Sequence, residues 1–196
     1  MVLVDPTVED QTEAYRSLDP KKRNAAQWSA EVIEPNLREG RECVAAAPAG
    51  FVPGSALFKK CISPDFAQYS EAVNASNQNQ DMRKAAQQAG LSENEQVFIA
   101  SADQVRASRH SYGNLPLIVL TSGPRLPPKD PLTPEAQTLR AARFQMGVTL
   151  HDDVAKLSTR GVNEIVPGAK HYIQLDKPQA VIDAITRVVV MTQGAP

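Results

Sequence analysis

Asn114-Leu-Pro-Leu-Ile-Val-Leu-Thr-Ser-Gly123 and Asn163-Glu-Ile-Val-Pro-Gly-Ala-Lys-His171-Tyr-Ile-Gln-Leu-Asp176-Lys-Pro178 are the two stretches that decide the fold. Leu115 to Leu120 is almost wholly apolar and rich in β-branched residues, the pattern of a strand covered on both faces. Gly123 to Pro134 is a Pro-rich loop. Thr133 then caps a helix with Pro134 at its first position. Its buried stripe is Ala136, Leu139, Ala142, Met146, Leu150, Val154 and Leu157. Asn163 to Val166 is a second short strand. A final helix starts at Asp176-Lys-Pro178 and turns Val181, Ile182, Ile185, Val188 and Val189 toward a sheet. Strands alternating with helices predict an α/β fold, a parallel sheet with helices on its faces.

Upstream, Met1 to Val4 is an apolar run ended by Asp5-Pro6. Proline does not continue a central strand, so this is a buried strand that delivers Asp5 at its tip. Met1-Val-Leu-Val-Asp5 runs straight into that strand, so no leader peptide is expected.

Residues 9 to 110 have low β-branched content and no alternation, and they predict helices. Asp19-Pro20 is a helix start, and Trp28, Val32 and Ile33 share a face of the helix that follows. Pro35 kinks or ends it. Ser63-Pro64-Asp65 opens another helix carrying Phe66, Tyr69 and Val73. Asn74 to Gln80 is Asn/Gln/Ser-rich and reads as a loop. Ser92 to Glu95 has the form of a capping box, followed by Val97, Phe98 and Val105. The organisation expected is therefore a core strand and lead-in over 1–8, a helical lid over 9–110, and the rest of the α/β core over 111–196.

The chain has 196 residues, 42% apolar and 22% charged, with net charge −1. These values are ordinary for a globular protein. The densest basic clusters, Lys21-Lys22-Arg23 and Arg106, Arg109, His110, are not interleaved with aromatic residues. No nucleic-acid partner is expected. No apolar run has the length to span a bilayer, so no membrane partner is expected either. Cys43 and Cys61 bracket a turn region with Pro48, Gly50, Pro53 and Gly54. The residues alone leave two readings open, a bridge or two separate buried thiols. Neither has a second ligand at metal spacing.

The strand, helix, strand, His loop and helix of the last third resemble the C-terminal end of an α/β-hydrolase. Pro167 to Pro178 is similar to that family's Gly-x-Gly-His loop, with Lys170 where glycine is usual. The start, Val2-Leu-Val-Asp-Pro-Thr-Val-Glu-Asp-Gln11, looks like the strand and lid lead-in of a group of bacterial α/β-hydrolases. In those proteins a His often stands where Val8 stands here. Ser101 to Thr121 resembles the exit of the same lid. The likeness covers essentially the whole chain, strongest from Asn114 to Val190.

The resemblance implies the last three strands of a doubly wound parallel sheet with a helical lid insertion. It implies hydrolysis of an ester or related acyl bond in a small-molecule substrate, without a cofactor. His171 becomes the base: an imidazole near neutral pKa takes and returns a nucleophile's proton. The acid is Asp5, as in hydrolases that place it after the strand preceding the lid. Asp130, in the loop after Leu115–Leu120, is the alternative, and Asp10 a weaker one. The resemblance also implies a Cys43–Cys61 disulfide, and with it a secreted or periplasmic location; without the bridge, a cytoplasmic one.

The sequence has no Gly-x-Ser-x-Gly, so it has no nucleophile elbow. The expectation is thus a fragment of a serine hydrolase, inactive alone and open to self-association at an exposed sheet edge. The alternative is a non-catalytic truncated paralogue or binding module. A small enzyme using Ser122 or a cysteine is a third reading, weakened because no helix follows Ser122 closely. His110, at the end of a polar helix, is a solvated cation. His151, beside Asp152 and Asp153, is a surface charge pair.

Overall fold

A computed structural model describes residues 1–97, 100–124 and 131–193. Among them, three parallel strands form one sheet in the order β1 (Val2–Val4), β2 (Leu117–Ser122), β3 (Gly161–Val166). Val4 pairs with Leu120, and Leu120 with Glu164, so the strands end along a common edge. Residues following that edge are brought together although those after β1 are more than a hundred positions from those after β2 and β3.

The chain forms two compact units. One combines Met1–Lys22 with Asp103–Pro196; the other is Arg23–Ala102. The sheet belongs to the first. There α1 (Gln11–Ser17), expected within the lid segment, packs on α8 (Pro134–Ala155).

Residues alternate across β2, as a pleated strand requires. Leu117 and Val119 face one side with Met1, Leu3, Val154 and Ala155 of the α8 layer. Ile118 and Leu120 face the other, with Val2, Val4, Ile173 and Ala184. All four of these β2 side chains are buried, each contributing about 1.5–3 kcal/mol of burial energy. Helices on both faces make the sheet doubly wound. β1 was expected to be covered on both faces. Its residues are half-buried, and among the described residues it pairs with β2 alone.

Thr133 caps α8 as expected: its hydroxyl accepts from Ala136 N at 3.2 Å. The last helix, α10 (Pro178–Gln193), departs from expectation. It follows α9 (Ile173–Asp176), and Val181, Ala184 and Val188 face the sheet while Ile182, Ile185 and Val189 are exposed. The helix carries two apolar stripes, and periodicity does not choose between them. Ala184 does, because the fully buried small side chain permits the closest approach.

In the second unit, α2 (Ala25–Trp28) starts at Asn24 through a capping box with Gln27, rather than at Asp19-Pro20. A π-helical turn over Ser29–Ile33 leads into α3 (Glu34–Ala46). Pro35 does not end the helical run; it occupies the first turn of α3, directly after a π-helical turn that interrupts the regular α-helix. A 3-10 turn, Ala47–Ala49, and α4 (Ala56–Cys61) follow.

The expected helix at Ser63 is instead a turn. Ser70 caps α5 (Glu71–Asp81), which occupies the Asn/Gln-rich stretch expected as a loop. Asn74 explains the inversion. It is buried, with its Oδ1 accepting from Phe66 N and its Nδ2 donating to Phe66 O, both at 3.1 Å. A residue typical of loops here ties the preceding turn to the helix. Ser92 lies inside α6 (Lys84–Gln96) and is not a cap. α7 (Ala100–Ser108) spans the boundary at Ala102.

Cys43 and Cys61 form a disulfide joining α3 to the end of α4, beside a small core of Ala47, Phe51 and Ile62. No helix among the described residues is long and apolar enough to cross a membrane.

Candidate active site

Asp5 sits one residue beyond β1 and takes a left-handed conformation, φ +46°. For a non-glycine residue this costs about 1–2 kcal/mol. Three hydrogen bonds hold it. Its N–H donates to Leu120 O at 2.7 Å. Its Oδ1 accepts from the backbone N–H of Ser122 at 2.8 Å. Its Oδ2 accepts from Nδ1 of His171 at 2.8 Å. The Asp5 side chain is 12% exposed and the His171 side chain 61% exposed.

A carboxylate only accepts, so His171 Nδ1 carries the hydrogen. The neutral ring then bears its lone pair on Nε2. Among the described residues Nε2 has no hydrogen-bond partner, and the side chain that bears it is largely exposed. An imidazole held in this tautomer by a half-buried acid can take a proton at Nε2, and the acid stabilises the imidazolium that results.

The loop that carries His171 is fixed from both ends. Gly168 makes the turn after β3 with φ +73°, a conformation natural to glycine. Gly123 N donates to Ala169 O at 3.2 Å. A Cβ at Gly123 would lie 2.9 Å from Val166 O and 3.0 Å from Gly168 N, so only glycine fits without moving the loop. Downstream, Asp176 Oδ2 accepts from Lys170 N at 2.7 Å, and His171 O accepts from Ile173 N at 3.0 Å. Ile173 is fully buried and anchors the turn in the core. Lys170 thus has its backbone N–H held by a carboxylate.

The other candidates are elsewhere. Asp10 pairs with Arg106 at 2.8 Å, and Arg106 also reaches Asp103 at 2.7 Å. These bonds, Asp10's first, raise the Arg106 guanidinium above its ordinary pKa. Glu9 is buried against Arg109, whose second arm donates to Asp153 O. The two arginines line a cleft of about 280 Å³ with Val8 and Leu150, but both are taken up by these carboxylates. Asp130 lies outside the described residues. Ser122 ends a strand, and its backbone N–H serves Asp5. Neither cysteine is free. His110 is exposed, its Nδ1 2.7 Å from Ser108 O.

His151 corrects the sequence reading. It is buried, 6% exposed, and forms no surface pair. Its Nε2 lies 2.9 Å from Pro6 O and its Nδ1 2.7 Å from Thr121 Oγ1. Thr121 donates to Asn163 Oδ1 at 2.6 Å, and Asn163 Nδ2 donates to Asp152 Oδ1 at 2.9 Å. The signal for this network was present in the sequence. Thr121 and Asn163 are polar residues in strand positions, and His151 stands three and four residues before Val154 and Ala155, on the inner face of α8.

No protein-family model matches the chain, and neither does any curated protein or solved structure.

Proposed function

We propose that the chain is the lid and C-terminal part of an α/β-hydrolase-type serine hydrolase acting on esters or related acyl substrates. Asp5 is its acid and His171 its base. One observation carries this reading: Asp5 is clamped between Ser122 N and His171 Nδ1, which fixes the tautomer and leaves Nε2 open. A structural ion pair has no need of an exposed imidazole with an unpartnered nitrogen at the C-terminal edge of a parallel sheet. That edge is where open α/β sheets bind ligands.

In this reaction a serine hydroxyl, supplied outside these residues, loses its proton to His171 Nε2 as its oxygen attacks the acyl carbon. The proton then passes from Nε2 to the leaving alcohol. Water repeats the cycle and releases the acid product. The half-paired β1 and the exposed Ile182, Ile185 and Val189 of α10 suit a sheet that continues beyond β1. The disulfide suits a protein that matures in an oxidising compartment.

A second reading, a non-catalytic binding module, is favoured by the lack of any Gly-x-Ser-x-Gly. Kinetics separate the two. The chain alone is expected to be inert on short p-nitrophenyl esters. Joined to the in-phase upstream segment carrying a Gly-x-Ser-x-Gly, it is expected to turn them over. In that enzyme His171→Ala abolishes turnover. Asp5→Asn lowers it by roughly ten-thousand-fold, the scale of the same change in a serine protease. Asp130→Asn is the control: if it cripples the enzyme while Asp5→Asn is silent, the acid is Asp130. An in-phase segment without such a motif supports the binding module.

A further inference from the structure

The turn that presents Asp5 contains a second, unexplained tie. Asp5 is in the left-handed region, and a strained residue keeps such a conformation only where its surroundings fix it. The next residue is Pro6, which has no N–H. Only its carbonyl can be anchored. That carbonyl faces His151 Nε2 at 2.9 Å, and since a carbonyl only accepts, Nε2 carries the hydrogen.

The ring making this bond is itself held. Thr121 Oγ1 lies 2.7 Å from its Nδ1. Thr121 precedes Ser122, whose N–H holds the other oxygen of Asp5. Asn163 on β3 fixes Thr121, and Asn163 is fixed by Val148 O at 3.3 Å and Asp152 Oδ1 at 2.9 Å. One chain of polar contacts thus runs from α8 through β3 and β2 to the residue after Asp5; with Nε2–H on the Pro6 carbonyl, the single hydroxyl hydrogen of Thr121 serves either Nδ1 or Asn163 Oδ1, not both.

We infer that His151 is a positioning residue for the acid: its Nε2–H latches the Pro6 carbonyl and so holds the Asp5 carboxylate between Ser122 and His171. The inference rests on the Asp5–His171 reading above. His151 touches no reacting atom, and its effect reaches His171 only through the Asp5 turn.

The test is 15N NMR of the histidine-labelled chain in alkaline buffer, where imidazoles are neutral. In the wild type, His151 Nε2 must be protonated; an unprotonated Nε2 overturns the latch at once. The second readout is the tautomer of His171, which a merely structural role at His151 would leave unmoved. His151→Leu is expected to abolish the Nδ1–H preference of His171 while circular dichroism stays unchanged. A folded His151→Leu chain with a wild-type His171 pattern contradicts the inference.

His151→Gln and His151→Asn carry the test even where the Leu variant fails to fold. The glutamine amide reaches Pro6 O; the shorter asparagine reaches Thr121 but not Pro6. Only Gln is expected to keep the His171 pattern. Retention in both variants, or loss in both, overturns the latch. Asp5→Asn separates the two readings: if it leaves His171 unchanged, the Asp5–His171 account falls and the latch with it. If it changes His171 while the His151 variants do not, the latch alone falls.

Discussion

Asp5 Oδ2 accepts the Nδ1–H of His171 at 2.8 Å across 166 positions of sequence, while its other oxygen is held by Ser122 N–H. Both oxygens of the acid are committed, and neither contact can slide without breaking the other. The parallel register makes this possible, because β1, β2 and β3 end together and each contributes one part.

Gly123 is the tightest steric point behind the pair. Gly123→Ala places a methyl against the Val166 carbonyl and the Gly168 amide, both backbone and unable to turn aside. The expected loss is about 1–3 kcal/mol by denaturant unfolding, with displacement of the His171 loop. Gly90→Ala in α6 is the control, since nothing lies within 4 Å of its added methyl. It is expected to be neutral or to stabilise by up to about 1 kcal/mol. Equal effects at the two positions would contradict the steric account.

The disulfide closes 18 positions of chain. Chain made under oxidising conditions is expected to weigh two hydrogens less than its reduced form and to label with no thiol reagent. Replacing both cysteines by serine is expected to lower the stability of the helical unit by about 3 kcal/mol. Two thiols that label quantitatively in the folded, oxidised protein would contradict the bridge.

The exposed Ile182, Ile185 and Val189 form one stripe of α10. Such a face, beside a half-paired β1, favours self-association of the chain at high concentration. Light scattering is expected to show species larger than a monomer, and Ile185→Glu with Val189→Glu to reduce them. A clean monomer at the highest attainable concentration would contradict this.

Much of the core was legible in sequence because its residues answer to one constraint each. The Leu115–Leu120 run reads as a buried strand, which forms over Leu117–Ser122 with the exposed Leu115 outside it, and Thr133-Pro134 starts a helix. Asp5 was legible as the residue that ends an apolar strand, and His171 was singled out by the resemblance of its loop; the structure brings the two within 2.8 Å. What stayed hidden depended on tertiary partners. Asn74 is a loop former until Phe66 offers it both backbone groups. The stripe of α10 that faces the sheet is chosen by Ala184, not by periodicity. His151 looked like a surface charge because its neighbours Asp152 and Asp153 are charged, while its own partners, Pro6 O and Thr121, are distant in sequence. The Ser122 N–H that fixes the acid has no sequence signal, since every residue but proline offers one.

The central claim, that Asp5 sets the tautomer of His171, is tested most directly by 15N NMR of the His171 ring in the wild type and in Asp5→Asn, in alkaline buffer. Oδ1 is committed to Ser122 N–H. An asparagine there keeps its oxygen on Ser122 and turns its NH₂ to His171, whose Nδ1 must then accept. The account predicts Nδ1–H with bare Nε2 in the wild type and the reversed tautomer, Nε2–H, in Asp5→Asn. A wild-type ring already protonated at Nε2, or the same pattern in both proteins, would contradict it.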